Sequence, residues 1–323
     1  MQLLQGAQAS AVLSTAIELG VFAALAHGPA GASEVAARLR CPERTTRILC
    51  DALSAFGVLV HDGDRYSLTP TAETHLVPGR PGYMGDVSQI VDAPQMWQGL
   101  SRLTEAVRAG GSILEQHAET PRHPFWETFA RASTALAAPS AGALEHTLQG
   151  WLASQARVRV LDVAAGSGLY GYTLAQKNSN VELTSLDWPN VLVETRKTAE
   201  RLGLDSARLR YIEGNLFEAD FGGPYELIVM SHIFHHFDRE TCLGLMKKVA
   251  AALAPGGRVA VHDFLADHPG GQLFSITMMI WTKHGEAYRG QDYLAWFAES
   301  GLKNPSIQPV PMGPTSLLFA ERH

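Results

Sequence analysis

The strongest constraint on the fold is a glycine-rich turn that directly follows a short apolar run in the second half of the chain. The apolar run covers residues 158–163, and the sequence from residue 162 to residue 171 reads DVAAGSGLYG. Glycines at such a point let the backbone approach a ligand at the first turn of the next helix. The pattern therefore predicts a strand, a ligand-binding turn and a helix in that order.

Short apolar runs continue from this point and alternate with helical segments, which is typical of a parallel α/β sheet. The predicted strands cover residues 158–163, 181–186, 209–213, 227–230 and 258–263. Two further runs, at residues 306–310 and 316–321, flank a Gly-Pro turn and could close the edge of the sheet. The fold class expected for this half is a Rossmann-like α/β domain.

The first half of the chain has the pattern of a mainly helical, winged-helix-like domain. Residues 8–25 form one amphipathic segment, Ser33 is placed to cap a short helix, and Pro42 starts a third helix that runs to about Phe56. Residues 58–69 then read as a hairpin with an Asp-Gly turn. Helix, turn, helix and hairpin in this order predict a winged helix.

The length of 323 residues and an apolar content of 46% are enough for two hydrophobic cores. We expect a winged-helix-like dimerisation domain over residues 1–110, connecting helices over 111–150 and a Rossmann-like catalytic domain over 151–323. The apolar surface of residues 8–25 exceeds what a small winged helix can cover, so we expect a homodimer built through this segment.

Composition excludes several classes of protein. The net charge is −6 without a block of basic residues, which does not favour a nucleic-acid-binding protein. Cys41, Cys50 and Cys242 are odd in number and far apart, so we interpret them as reduced thiols. The chain has no membrane-spanning run and no signal-peptide pattern at its start. We expect a cytoplasmic protein with a small-molecule substrate.

The glycine pattern does not by itself separate two cofactors. Gly166, Gly168 and Gly171 match the dinucleotide fingerprint, and Asp187 follows about twenty residues later, as a ribose-binding carboxylate should. Asp162 is the discriminating residue, because a carboxylate beside the turn would repel a pyrophosphate and would suit the cationic amino group of S-adenosylmethionine. The charge argument therefore favours the methyl donor over NAD.

The chain resembles the class I S-adenosylmethionine-dependent small-molecule O-methyltransferases of the caffeate and hydroxyneurosporene type. The resemblance covers nearly the whole chain, and five segments carry it: LDVAAGSG (161–168), LDWP (186–189), EGNLF (213–217), FHHFD (234–238) and LAPGG (253–257). It implies a cofactor site for S-adenosylmethionine formed by Asp162, Ala164, Gly166, Gly168, Asp187, Trp188, Asn215, Leu216 and Ser231. Two positions depart from the family pattern, because Ala164 stands where glycine is frequent and Asn215 replaces the usual aspartate.

The candidate catalytic residues follow the fourth and fifth predicted strands, where open α/β sheets place their active sites. Methyl transfer to a hydroxyl needs an aligned acceptor and a base for its proton, a task suited to histidine. The resemblance makes His235 the general base, with His236 following where the family has Asp. It also makes Asp263 the residue that orients the imidazole and Glu286 the nearest candidate for a second acidic partner.

Four alternatives stay open at this stage. His235, His236, His284 and Asp263 could hold a metal, as in C-methyltransferases that act on α-keto acids, although no metal is assigned. The sequence does not separate O-, C- and N-methylation. Residues 43–47 sit where a DNA-binding regulator places its recognition helix, and an NAD-linked dehydrogenase shares the glycine pattern. The apolar segment 274–281, with Phe125, Trp126 and Phe129, could line a pocket for a flat ring or form a core stripe.

Overall fold

The computed structural model describes residues 5–311 and 313–323. Residues 1–4, with which the predicted N-terminal domain begins, lie outside the described part. The chain forms two compact units that divide between Asp92 and Ala93. The boundaries drawn from the sequence at residues 110 and 150 stay predictions.

The N-terminal unit has the helices and the three-stranded antiparallel sheet of a winged helix. Its helices are α1 (Gly6–Leu19), α2 (Val21–Leu25), α3 (Ala32–Leu39), α4 (Glu43–Ala55), α5 (Pro70–His75) and α6 (Ser88–Val91). Its strands are β1 (Ala30–Gly31), β2 (Leu59–Asp62) and β3 (Arg65–Leu68), in the spatial order β1-β3-β2. The predicted hairpin is therefore present.

Two predictions for this unit are wrong in detail. The segment 8–25 is two helices and not one, because Gly20 takes a left-handed conformation with φ of 81° and ends α1. Ser33 does not cap α3: the N-cap is Gly31, whose N–H donates to Glu34 Oε2 over 2.9 Å. The hydrogen bond between the Gly31 N–H and the Glu34 carboxylate stabilises the start of α3, so no side-chain cap from Ser33 is needed.

The C-terminal unit is a seven-stranded sheet with helices on both faces. Its strands are β4 (Val158–Val163), β5 (Val181–Asp187), β6 (Leu209–Glu213), β7 (Tyr225–Ser231), β8 (Leu253–Phe264), β9 (Leu302–Pro309) and β10 (Thr315–Arg322). Its helices are α7 (Pro94–Ser101), α8 (Leu103–Ala109), α9 (Phe125–Ala132), α10 (Thr134–Ser154), α11 (Leu169–Lys177), α12 (Pro189–Arg201), α13 (Arg239–Ala252), α14 (Pro269–Trp281) and α15 (Gly290–Glu299). No helix among residues 5–311 and 313–323 is long and apolar enough to cross a bilayer.

The strand order is β6-β5-β4-β7-β8-β10-β9, and only β10 runs antiparallel to its two neighbours. Along β4 the side chains alternate between two hydrophobic clusters: Leu161 and Val163 belong to one, and Val158 and Val160 to the other. Both faces of the central strands are thus buried, as in other parallel sheets. β5, β4, β7 and β8 are neighbours in the sheet and run in the same direction, so their carboxyl ends lie side by side at one edge. The predicted site residues lie at this edge.

Candidate active site

The glycine-rich turn after β4 has a backbone that most side chains could not adopt. Gly166 and Gly168 have φ of 55° and 77°, and α11 begins directly afterwards. A Cβ at Gly168 would lie 2.3 Å from the Tyr172 ring, so the tight turn requires glycine there. A Cβ at Gly166 would meet no described atom within 4 Å. The turn therefore leaves space above Gly166 for a ligand to approach the backbone.

Ala164 stands in the same turn with φ of 56°, a left-handed conformation that is unfavourable for a residue with a Cβ. This explains why glycine is frequent at the equivalent position of the resembling family. Strain of this kind persists where the surrounding structure fixes it, and it concentrates at ligand sites.

Asp187, at the end of β5, ties the second strand to this turn. Its Oδ2 accepts a hydrogen bond from the Gly166 N–H over 2.8 Å, and its Oδ1 accepts one from the Trp188 N–H over 2.7 Å. Burial raises the pKa of Asp187 to about 6, although both backbone N–H groups act in the opposite direction. A buried carboxylate at this place suits a ligand that donates hydrogen bonds, such as a ribose.

Asp162 is a second buried carboxylate beside the turn, and it faces no cation among the described residues. Its Oδ2 accepts the Gly171 N–H over 3.1 Å. Burial raises its pKa to about 8, the Gly171 N–H lowers it, and the neighbouring charge of Asp187 adds to the rise. A ligand with positive charge would favour the ionised form of these two neighbouring carboxyl groups, whereas a pyrophosphate would disfavour it.

The pKa of Asp162 predicts a pH-dependent stability. Because the folded-state value of about 8 lies above the unfolded value near 3.8, its contribution is fully present below pH 3.8 and is lost as the pH rises to about 8. We expect the free energy of unfolding of the ligand-free protein, relative to Asp162→Asn, to fall by about 1–3 kcal/mol between pH 5 and pH 8. Urea denaturation of both proteins at the two pH values measures this.

The comparison with Asp162→Asn is needed because other buried groups titrate in the opposite direction. Burial lowers the pKa of His262 to about 2 and holds the pKa of His236 well below its usual value, so both histidines favour unfolding as the pH falls. Their effects cancel in the difference between the two proteins. A difference that is the same at pH 5 and pH 8 would show that Asp162 is ionised in the folded protein.

The remaining predicted cofactor residues lie at the same edge. Ser231 ends β7, and its buried Oγ has no hydrogen-bond partner among the described residues. Trp188 and Leu216 are partly exposed there. Asn215 already accepts the Phe217 N–H at Oδ1 and donates to Glu218 from Nδ2. The open face of Gly166, the buried carboxylates and the unpartnered Ser231 hydroxyl together fit S-adenosylmethionine.

A histidine and an aspartate form the centre of the candidate catalytic site. His235 lies in a short 3-10 turn after β7, and Asp263 is the penultimate residue of β8. His235 Nδ1 donates to Asp263 Oδ1 over 2.5 Å, which leaves Nε2 as the nitrogen without a partner among the described residues. Carboxylate, imidazole and free Nε2 are the arrangement of an oriented general base.

Asp263 is fully buried, and three hydrogen bonds hold it in place, the first of them from His235 Nδ1. Oδ1 also accepts the Phe264 N–H over 2.8 Å, and Oδ2 accepts the Tyr293 hydroxyl over 2.8 Å. Burial alone would raise the pKa of Asp263, but the facing imidazoles of His235 and His232 lower it well below its usual range. Asp263 therefore remains ionised and able to stabilise a protonated His235.

The other predicted catalytic residues take different places. His236 is buried with its ring centre 4.6 Å from that of His235, and burial holds its pKa so low that the ring stays neutral. Glu286 is exposed and makes no hydrogen bond to His235 or Asp263 in the described structure. The second group on Asp263 is Tyr293 of α15, so the site has a hydroxyl where we expected a carboxylate.

Three residues near the dyad of His235 and Asp263 were not assigned a site role from the sequence. His232 follows β7 with its Nδ1 3.8 Å from Asp263 Oδ1. His262, beside Asp263 on β8, is bonded to the Tyr170 hydroxyl over 2.7 Å and to Thr315 over 2.8 Å. The cluster SHIFHH after an apolar strand signalled His232. Nothing in the local sequence signals Tyr293, which arrives from a helix thirty residues later.

The geometry also bears on a metal. One possible ligand atom from each of His232, His235 and Asp263 lies within 4.8 Å of the other two, whereas the previously considered His284 is exposed. Ligands about 2.1 Å from one ion are separated by about 3 Å. The 2.5 Å between His235 and Asp263 is instead a hydrogen-bond distance.

Aromatic rings lie next to His235 and Asp263, the pair that we call the dyad. Phe264 and Phe274 stack with ring centres 4.0 Å apart, and Phe274 meets the His235 ring edge-on at 4.7 Å. Trp126 lies 5.3 Å from His236. By contrast, Trp281 is buried in a hydrophobic cluster. The segment 274–281 therefore supplies both a site residue and core residues.

One basic side chain at the position of a recognition helix in the N-terminal unit is already paired. Arg47, in α4 at the position of a recognition helix, pairs with Asp51 over 2.9 Å. Asp51 also accepts the Tyr66 hydroxyl over 2.6 Å. Phosphate contacts require unpaired arginines and lysines, so this pairing argues against the DNA-binding alternative.

Comparison with known proteins gives the same assignment as the motifs. Residues 1–78 match the model of the O-methyltransferase dimerisation domain, and residues 145–303 match that of the O-methyltransferase domain. A solved structure from Nostoc punctiforme, assigned as an O-methyltransferase, is 30% identical, with a TM-score of 0.94 over 99% of this chain and 98% of that one.

Two curated relatives are similar over most of their length. The 3-hydroxy-5-methyl-1-naphthoate 3-O-methyltransferase of Streptomyces sahachiroi is 29% identical over 90% of this chain and 84% of its own. The S-adenosyl-L-methionine-dependent methyltransferase PigF of Serratia is 27% identical over 97% of this chain and 92% of its own. With both domain models matched in order and the fold shared end to end, this chain belongs to the O-methyltransferase family.

Proposed function

We propose that this protein transfers the methyl group of S-adenosylmethionine to a hydroxyl oxygen of a small aromatic metabolite, with His235 as the general base. The observation that carries the proposal is the 2.5 Å hydrogen bond from His235 Nδ1 to the buried, ionised Asp263. It fixes the tautomer in which Nε2 has a lone pair for the acceptor's proton.

When bound, the cofactor supplies an electrophilic methyl group on a sulfonium. Gly166, Asp162 and Asp187 would hold the cofactor at the ends of β4 and β5, and Ser231 would offer its hydroxyl from the end of β7. As the O–CH₃ bond forms and the S–CH₃ bond breaks, His235 Nε2 takes the hydroxyl proton. Asp263 then balances the imidazolium, and the neutral His236 adds no second positive charge beside it.

An aromatic acceptor is supported by the surroundings of the dyad. Flat rings pack well against the stacked, partly exposed Phe264 and Phe274, and such stacking is worth about 0.5–1.5 kcal/mol beyond burial. The naphthoate-methylating relative acts on an acceptor of this shape. Aromatic hydroxyls have a pKa near 10, so at neutral pH they need the base that His235 provides.

The proposed function is tested by methyl transfer in vitro. The protein is incubated with S-adenosylmethionine carrying a deuterated methyl group and with a panel of naphthols, hydroxynaphthoquinones, arylamines and α-keto acids. We expect deuterated methyl ethers of the aromatic hydroxyl compounds, identified by mass spectrometry, with and without a chelator. Methylation confined to the amines or to carbon, or loss of ether formation with the chelator, would overturn the proposal.

We further propose that the protein is a homodimer assembled through its N-terminal domain. Of the fourteen residues of α1, only Ala16 is buried within the chain, although the helix is mostly apolar. Large side chains elsewhere in this unit, such as Ile48 and Phe56, are also nearly half exposed. Apolar surface of this extent is typical of an interface, and residues 1–78 match a dimerisation domain.

We expect light scattering at micromolar concentration to give about twice the chain mass of 34.9 kDa. Leu19→Glu in α1 should weaken the dimer by at least tenfold, because Leu19 is 40% exposed within the chain and the charge would be buried at the interface. Glu substitution of the exposed Leu273, in the C-terminal unit, is the control. A wild-type protein of single-chain mass would contradict the proposal.

A further inference from the structure

His232 is a second histidine at the catalytic edge, and its backbone is held in an unfavourable conformation. It follows β7 directly with φ of 55°, a left-handed value that is uncommon for residues other than glycine. Its N–H donates to the His262 carbonyl over 2.8 Å, which fixes the turn to β8. Histidine is among the residue types that adopt this conformation more often than others, so the role of His232 is argued from its side chain.

The imidazole of His232 is only loosely held by its neighbours. Nδ1 is 3.8 Å from Asp263 Oδ1, too far for a hydrogen bond, and the ring packs edge-on against His262 with centres 4.4 Å apart. Nε2 has no hydrogen-bond partner among the described residues. The side chain is 26% exposed, compared with 4% for His235. His232 therefore offers a polar nitrogen at the open side of the dyad.

We propose that His232 is a specificity residue whose Nε2–H donates a hydrogen bond to an oxygen of the acceptor next to the hydroxyl that is methylated; its Nδ1, 3.8 Å from Asp263, makes no hydrogen bond that would hold the proton there. The acceptor class is then an aromatic compound with a carbonyl, carboxylate or second hydroxyl ortho or peri to the reacting hydroxyl. This inference rests on the proposed function. The phenyl rings of Phe264 and Phe274 define where a planar acceptor would lie, because Phe264 contacts His232 and Phe274 contacts His235.

The spacing of the two histidines supports a two-oxygen acceptor. Their ring centres are 5.9 Å apart, and both rings have Nδ1 beside the same carboxylate oxygen and Nε2 unpartnered. This separation of the ring centres is compatible with two hydrogen bonds of about 2.8 Å, one from each Nε2 to one of two neighbouring oxygens on a planar ring. An acceptor with one isolated hydroxyl would use His235 and leave His232 without a partner.

The test compares two isomeric acceptors, 2-acetyl-1-naphthol and 4-acetyl-1-naphthol, which differ in the distance of the carbonyl from the hydroxyl. The 2-acetyl isomer also has an intramolecular hydrogen bond, but this difference is the same for every protein variant and cancels when the variants are compared. The proteins are wild type, His232→Leu and His232→Gln. Leucine and glutamine are about as large as histidine and equally strained at this φ, so they share any backbone cost. Only glutamine keeps a side-chain N–H donor.

We expect wild type to favour the 2-acetyl isomer in kcat/KM. His232→Leu should lose about 10–100-fold on that isomer and less than threefold on the 4-acetyl isomer, while His232→Gln should retain most of the preference. The dissociation constants of S-adenosylhomocysteine and of the 2-acetyl isomer in its presence, measured by calorimetry, separate acceptor binding from cofactor binding. The dissociation constant of S-adenosylhomocysteine should stay unchanged in both variants.

Equal losses on the two isomers, or none, would overturn the role of His232. If wild type methylates the 4-acetyl isomer and other naphthols without preferring the 2-acetyl isomer, the proposed function stands and this inference fails. If wild type methylates no aromatic hydroxyl at all, the proposed function itself has failed, and this inference with it.

Discussion

Replacement of His235 by alanine is expected to lower kcat at pH 7 about 10²–10⁴-fold, the usual effect of removing a general base. The affinity for S-adenosylmethionine should change by less than about twofold, because the cofactor residues lie on β4, β5 and β7 and not in this turn. Turnover of the variant should recover as the pH approaches 10, where an aromatic hydroxyl ionises without help. Single-turnover rates between pH 6 and pH 10 measure both effects.

The matched control is His146→Ala, which removes an exposed histidine from α10 and should leave the rate unchanged. Asp263→Asn provides a second test, because it removes the charge that orients His235 while keeping the size of the side chain. It should lower kcat by a similar factor. A loss in His235→Ala that is the same at every pH would mean that His235 positions the acceptor and does not take its proton.

The sequence located the strands of the sheet, although not all of their ends, because short apolar runs bounded by turn residues are typical of buried strands. The runs at 158–163 and 209–213 coincide with β4 and β6. β8 was placed five residues too late, since its first part, LAPGG, reads as a turn. It is a strand nevertheless, with a register shift against β7 that accommodates the glycines. Local propensity cannot reveal such a tertiary pairing.

One part of the candidate site could also be predicted from the sequence, and another part could not. The cofactor residues lie in short motifs at the ends of strands, so their positions could be predicted from the sequence together with the direction of the strands. The neighbours of Asp263 could not, because Tyr293 reaches it from α15 and its role depends on how that helix packs. Glu286 was chosen by resemblance alone. Gly285 beside it lies against the His235 carbonyl, where even a Cβ would be too close, but the Glu286 side chain is exposed.

Replacement of Asp187 by alanine is expected to weaken the binding of S-adenosylhomocysteine by about 1.5–3 kcal/mol, or roughly 10–150-fold in the dissociation constant. The physical reason is twofold. The carboxylate is buried where a ribose would donate hydrogen bonds, and it also holds the turn through the Gly166 N–H. Titration calorimetry at pH 8, above the pKa of about 6, measures the affinity with Asp187 ionised.

Two further variants separate ligand contact from support of the turn. Asp220→Ala removes an exposed carboxylate that likewise accepts a backbone N–H, that of Gly222, and should not change the affinity. Asp187→Asn keeps one acceptor oxygen for the turn, so it should be more stable than Asp187→Ala but still bind the ligand more weakly than wild type, since the charge is lost. The wild-type affinity should itself fall between pH 8 and pH 5.5, as Asp187 becomes protonated, whereas that of Asp187→Asn should vary less. Unchanged affinity in Asp187→Ala, with an intact circular dichroism spectrum, would remove Asp187 from the cofactor site and leave it only the turn to support.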